Sequence, residues 1–158
     1  MEAERRLTEL GLSVEPLAES YALDYSGAKF VSHLAVGELL YLSGTVPEKE
    51  GLPYLTGVVG ADLTIEQGYE AARLTGLAVL ASLKQELGEL DRVTGWAKAL
   101  GLVNCAPGFS KTPAVINGFT DLILELWGET GRHARSAIGA SELPFDVPVE
   151  VEAIVEVA

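Results

Sequence analysis

The run Val147-Pro148-Val149-Glu150-Val151-Glu152-Ala153-Ile154-Val155-Glu156-Val157 decides the fold. Side chains alternate across a strand with a period of two. Val147, Val149, Val151, Ala153, Val155 and Val157 therefore share one face. Pro148, Glu150, Glu152, Ile154 and Glu156 share the other. The first face needs an apolar cover; the second needs solvent, cations or another surface.

Working back from this strand, His133 to Gly139 reads as a second strand. Before it, Thr112 to about Gly128 reads as a helix with Pro113 at a tolerated early position. Its buried stripe is Val115, Phe119, Leu122, Ile123 and Leu126. Val93 to Asn104 is strand-like, contains Trp96, and is ended by the turn Pro107-Gly108. The strongest helix runs from Thr64 to Leu87, where Ile65, Tyr69, Ala72, Gly76, Val79, Leu80, Leu83 and Leu87 recur at helical spacing. Thr64 and Gln67 have the spacing of a capping box, and Gly88 supplies the stop.

Further upstream, Phe30–Val36 and Leu39–Ser43 flank a Gly37-Glu38 turn and predict a hairpin. Residues 48–62, rich in Gly and containing Pro53, read as a long loop. Residues 3–10 read as a short helix ending at Gly11. The order is hairpin, helix, strand, helix, strand, strand. Two long helices cover one face of such a sheet, so the other is wet or packed against another subunit.

The chain has 158 residues, 48% of them apolar, which suits one α+β domain over 1–158 with an N-terminal extension over 1–27. A single cysteine, Cys105, rules out an internal disulfide framework, and two distant histidines, His33 and His133, offer no zinc spacing. No metal or cofactor is expected. The cysteine usage and the polar start Met1-Glu-Ala-Glu-Arg-Arg point to the cytoplasm. No apolar run reaches the ~18 residues that span a bilayer. A net charge of −12 repels phosphate backbones and anionic lipid, so neither nucleic acid nor membrane is an expected partner.

Standard catalytic motifs are missing: there is no dinucleotide fingerprint, phosphate loop, nucleophile elbow or His-Glu-x-x-His. Cys105 reads as a small hydrophobe at a strand end. The chemistry-bearing candidates lie late in the chain. Arg135, in Ala134-Arg135-Ser136, is a guanidinium among small residues and suits a planar carboxylate held by two parallel bonds. An ion pair with a glutamate of the last strand accounts for it as well. Glu150 and Glu152 share a face, as a solvated pair or as a water-holding group. Asn117, early in the second helix, could bond a ligand or simply stand in the helix's first turns.

Taken together, Ala134-Arg135-Ser136, Leu143-Pro144, Asp146 and Val149-Glu150-Val151-Glu152-Ala153-Ile154 resemble the C-terminal signature of the RidA (YjgF-like) family. Upstream, Leu42-Ser43-Gly44-Thr45-Val46-Pro47 resembles its Ser-Gly-x-x-Pro turn, and Val115-Ile116-Asn117 its Val-Asn segment. The resemblance covers about residues 28–158. It implies a fold like that of bacillar chorismate mutase, a β-sheet backed by two α-helices, assembled as a homotrimer with clefts between subunits.

The resemblance also implies hydrolysis of reactive imines and enamines, such as 2-aminoacrylate, to 2-oxo acids and ammonia. On that reading the ligand is a small 2-imino or 2-oxo acid. Arg135 clamps its carboxylate and Glu150 positions the attacking water, while Ser43, Gly44 and Asn117 shape the cleft. Two positions depart from the family: Phe30 stands where a tyrosine is usual, and Ala137 where a cysteine is frequent. The loops at 47–63 and 104–113 are longer than in short members. These departures mark a divergent branch. They leave a non-catalytic carboxylate-binding trimer as the alternative, with an endoribonuclease or translation inhibitor behind it.

Overall fold

The computed structural model describes residues 2–14 and 29–158. Helix α1 (Glu2–Glu9) is followed by strands β1 (His33–Val36) and β2 (Leu39–Thr45) and a small hairpin, β3 (Glu48–Lys49) with β4 (Leu52–Pro53). Then come α2 (Ile65–Leu87), β5 (Val93–Asn104), α3 (Thr112–Trp127), β6 (Ala134–Ala140) and β7 (Val149–Val157). Residues 15–28 of the N-terminal extension lie outside the described residues.

The five long strands form one sheet in the order β1-β2-β7-β5-β6. All neighbours are antiparallel except β5 and β6, whose crossover is α3. β2 and β5 both run antiparallel to β7, so α2 likewise connects two strands of the same direction. The chain steps across the sheet in one sense, β2 to β5 to β6. Crossovers of one hand then place both helices on one face.

β7 fills the centre, which explains its alternation. Val149, Val151 and Val155 are fully buried and Ala153 nearly so. On the helix side Trp96 stands edge-on to Phe119 and Trp127, with ring centroids 5.8 and 5.4 Å away. The helices approach closely at Gly118, where an added Cβ would lie 2.0 Å from the Tyr69 carbonyl oxygen. Helix α2 opens on the expected capping box: Thr64 Oγ1 accepts from Gln67 N–H, and Gln67 Oε1 accepts from Thr64 N–H.

Among the described residues, no helix covers the opposite face. Register aligns Leu34 with Tyr41 and Tyr41 with Ile154, and Ile138 with Leu102 and Leu102 with Glu150. Leu34 is 58% exposed, Val36 55%, Ile138 50% and Tyr41 41%. So many large apolar side chains on one open sheet face are unusual for a surface meant to stay wet.

Several expected boundaries move. The first strand starts at His33, not Phe30, because residues 30–32 are tied differently: Ser43 N–H donates to Ser32 O at 2.9 Å and Ser43 Oγ donates to Val31 O at 2.6 Å. The stretch read as a plain loop holds the β3–β4 hairpin, too short to announce itself by periodicity. It is fastened to the other long loop: Val59 N–H donates to Asn104 O at 2.9 Å and Ala106 N–H to Val59 O at 3.0 Å. β7 starts at Val149 because Phe145 and Asp146, with φ of 59° and 56°, turn the chain just before it.

Candidate functional site

The singled-out residues fall into two groups on opposite faces of the sheet. The first is built on β6 and α3. Arg135 pairs with Ala99, whose side chain is fully buried beneath the helices, so Arg135 also projects to the helix side. β6 is an edge strand, which leaves the guanidinium half-buried beside α3. Nη1 donates to Asn117 Oδ1 and to Thr120 Oγ1, each at 2.9 Å. Asn117 and Thr120 lie one helical turn apart and so face the same way.

These two bonds use both hydrogens of Nη1. The Nε and Nη2 hydrogens remain, and that is the edge that presents two parallel donors to a carboxylate. Among the described residues no group accepts from Nε or Nη2. The ion pair with a last-strand glutamate, one of the two explanations open from the sequence, is not formed within the chain. Arg135 and the β7 glutamates stand on opposite faces.

Ala137 lies two residues on, on the same face of β6, and its carbonyl accepts from Thr112 Oγ1 at 2.9 Å. His133, two residues before the arginine, was not singled out from sequence. Its Nε2 lies 3.2 Å from Thr120 Oγ1 and its Nδ1 lies 2.7 Å from Gly131 O. Burial pushes the ring's pKa down; the Gly131 bond opposes that, and Arg135 reinforces it. The signals that could have found these residues were Thr120 at i+3 from Asn117 and His133 at i−2 from Arg135.

The second group lies on the helix-free face, where β2 meets β7. A Cβ built on Gly44 would meet Glu150 Oε1 at 2.1 Å. The carboxylate thus rests over the glycine, and any larger residue would displace it. The pairing of β2 with β7 is irregular between Leu42 and Thr45, which sets Gly44 out of the regular ladder. Burial raises the Glu150 pKa above its ordinary 4.5, and the neighbouring Glu152 charge adds to the rise. Ser43 is engaged with Val31 O through its hydroxyl. It therefore positions the segment that carries Phe30, whose ring is 63% exposed. A phenyl ring supplies apolar surface there and no hydroxyl.

Among the described residues there is no cluster of three or more His, Cys, Asp or Glu able to hold a metal ion, and no helix long and apolar enough to cross a membrane.

Comparison with known proteins identifies the family and the fold. Residues 4–156 match the family described as "YjgF/chorismate_mutase-like, putative endoribonuclease". Protein TCP17 of Trypanosoma cruzi is 41% identical over 151 residues, covering 95% of this chain and 91% of that protein. The crystal structure of Atu1372 from Agrobacterium tumefaciens, a protein of unknown function, superposes with a TM-score of 0.88 at 37% identity, covering 99% and 94% of the two chains. E. coli TdcF, solved with bound serine, shares the fold with a TM-score of 0.60 at 20% identity, covering 92% and 98%.

Proposed function

Because this chain belongs to the YjgF/chorismate-mutase-like family, we propose that it is a trimeric hydrolase that deaminates reactive imines and enamines of small 2-amino acids. The carrying observation is the Nε/Nη2 edge of Arg135, from which no group among the described residues accepts, held in place by Asn117 and Thr120. A guanidinium anchored through Nη1 alone is pre-oriented, so a carboxylate binds without ordering the side chain first. The serine bound to TdcF, a fold relative, is a ligand of the same size class with a carboxylate.

In the proposed reaction 2-aminoacrylate tautomerises to 2-iminopropionate, and Arg135 holds its carboxylate. Water adds to the C=N carbon while ionised Glu150 accepts its proton and passes it to the imine nitrogen, giving the carbinolamine. Glu150 then moves the hydroxyl proton to that nitrogen, the C–N bond breaks, and ammonia and the 2-oxo acid leave. A carboxyl whose pKa burial has raised is a better base near neutral pH than an exposed one. Fixing the carboxylate and the water together removes part of the entropic barrier. The free imine is already electrophilic, so this modest assistance suffices.

Arg135 and Glu150 project from opposite faces of one chain's sheet. A cleft using both therefore takes its arginine side from one copy and its Gly44–Glu150 side from another. The open apolar face bearing Leu34, Tyr41 and Ile138 supplies the surface for that assembly. The family's description includes endoribonuclease, but a net charge of −12 opposes RNA binding and supports the small-acid reading.

The exposed phenyl of Phe30 in place of a tyrosine favours a second reading, a trimer that binds a small carboxylate without turning it over. Ammonia release from 2-aminoacrylate generated in situ separates the two. A rate above the spontaneous one, lost in Arg135→Ala, supports the deaminase. Pyruvate binding in calorimetry with no added rate selects the binding trimer.

A further inference from the structure

The Arg135 guanidinium does not end its hydrogen-bond chain at Thr120. Nη1 donates to Thr120 Oγ1 at 2.9 Å, and the same oxygen lies 3.2 Å from His133 Nε2. His133 Nδ1 lies 2.7 Å from the carbonyl oxygen of Gly131, which can only accept, so Nδ1 carries a hydrogen. With the ring neutral, Nε2 offers a lone pair and Thr120 O–H points at it. Every bond in the row then runs one way, from arginine through hydroxyl to imidazole.

We propose that His133 is a positioning residue for the anion-binding edge of Arg135, acting through Thr120. The ring is locked at three points. Gly131 O takes its Nδ1–H, Thr120 meets Nε2, and Phe119 stands edge-on with centroids 6.1 Å apart. By accepting the Thr120 hydrogen, the imidazole leaves an oxygen lone pair facing Nη1. Without that acceptor the hydroxyl rotates freely and competes for the position Nη1 occupies. One side of the guanidinium is then held by Asn117 alone, and the Nε/Nη2 edge swings. Burial and the nearby Arg135 charge both keep the ring neutral, the state the relay needs.

This inference rests on Arg135 being the carboxylate clamp, and its test separates the two ideas. The first readout needs no ligand: rotation of the Arg135 guanidinium about Nε–Cζ, followed by nitrogen NMR in the full-length protein. The second is pyruvate affinity by calorimetry. His133→Phe keeps the aromatic packing and removes the acceptor, and Thr120→Val removes the relay. Each variant is expected to speed the rotation and weaken pyruvate binding about fivefold, the worth of one ordinary hydrogen bond.

The double variant is expected to be no worse than either single one, because both break the same chain. His133→Gln, whose side-chain oxygen can accept from Thr120, is expected to restore most of the loss. Losses that add in the double variant, or wild-type rotation in His133→Phe, overturn the proposal. If wild-type protein does not bind pyruvate, the clamp reading fails, and the rotation measurement alone decides whether His133 holds the arginine.

Discussion

Arg135 and Glu150 face away from each other. The first pairs across the sheet with buried Ala99 and reaches the α3 side; the second pairs with Leu102 and lies over Gly44 on the helix-free side. Fifteen residues separate them in sequence, yet β5 stands between their strands. A site needing both is incomplete in one copy of the chain. On the proposed mechanism, assembly and chemistry are therefore linked.

Breaking assembly should abolish turnover without unfolding the protomer. Ile138 is 50% exposed on the open face. Ile138→Lys places a charge where a second copy would pack, at little cost to a free chain. Light scattering should give a trimer for the wild type and smaller species for the variant, with ammonia release lost in parallel. A fully active variant of monomer mass would contradict the link.

Arg135→Lys should fail to rescue. An ammonium can approach Asn117 Oδ1 or Thr120 Oγ1, but it has no planar edge of paired donors. Pyruvate affinity should fall by about tenfold or more, the loss expected for one charge-assisted bond. Affinity within twofold of wild type would argue for simple charge attraction.

Gly44→Ala tests the other half of the site. The new methyl collides with the end of a flexible side chain, Glu150 Oε1, and not with backbone. Stability should change by no more than about 1 kcal/mol while the carboxylate is pushed aside. The expected outcome is a lower kcat with the melting temperature nearly unchanged. If kcat stays at the wild-type value, Glu150 does not hold the water where the account puts it.

The pH dependence follows from the raised Glu150 pKa. As a base Glu150 works ionised, so the rate should climb with pH along a limb centred above 4.5. Glu150→Gln should remove the limb, and Glu152→Gln should move it to lower pH by removing the neighbouring charge. The stability sign is opposite. The folded state holds this proton more tightly than the unfolded one, so its contribution is complete below 4.5 and is lost as pH rises through the folded pKa. Denaturant titrations of wild type and Glu150→Gln across that window check the sign.

Much of the scaffold was legible because its residues obey local rules. Thr64 and Gln67 close their capping box, and Val149, Val151 and Val155 of β7 are buried as their alternation requires. Those patterns depend on neighbours a few residues away. The direction of Arg135 does not. Alternation says that Arg135 and Ala137 share a face, but only the register with Ala99 says which face that is. The same gap hid Thr120 and His133, whose importance comes from a contact between α3 and the residues entering β6. The short β3–β4 hairpin escaped because two-residue strands carry no period to read.

Gly118 tests the layer beneath the site. A methyl there would meet the Tyr69 carbonyl oxygen at 2.0 Å and its carbon at 2.8 Å, so α2 and α3 must separate. Gly118→Ala should destabilise the fold by about 3 kcal/mol, the upper range for overpacking. Urea unfolding measures it. A loss below about 1 kcal/mol would mean the helices yield more easily than their close contact implies.

The most direct measurement is a crystal structure of the protein with pyruvate. The account predicts a trimer with the ligand between copies. Its carboxylate should take two parallel hydrogen bonds from Nε and Nη2 of Arg135, and the Glu150 and Gly44 of another copy should close the far side. A carboxylate bound elsewhere, or the Nε/Nη2 edge covered by a protein glutamate in the assembled molecule, would contradict it.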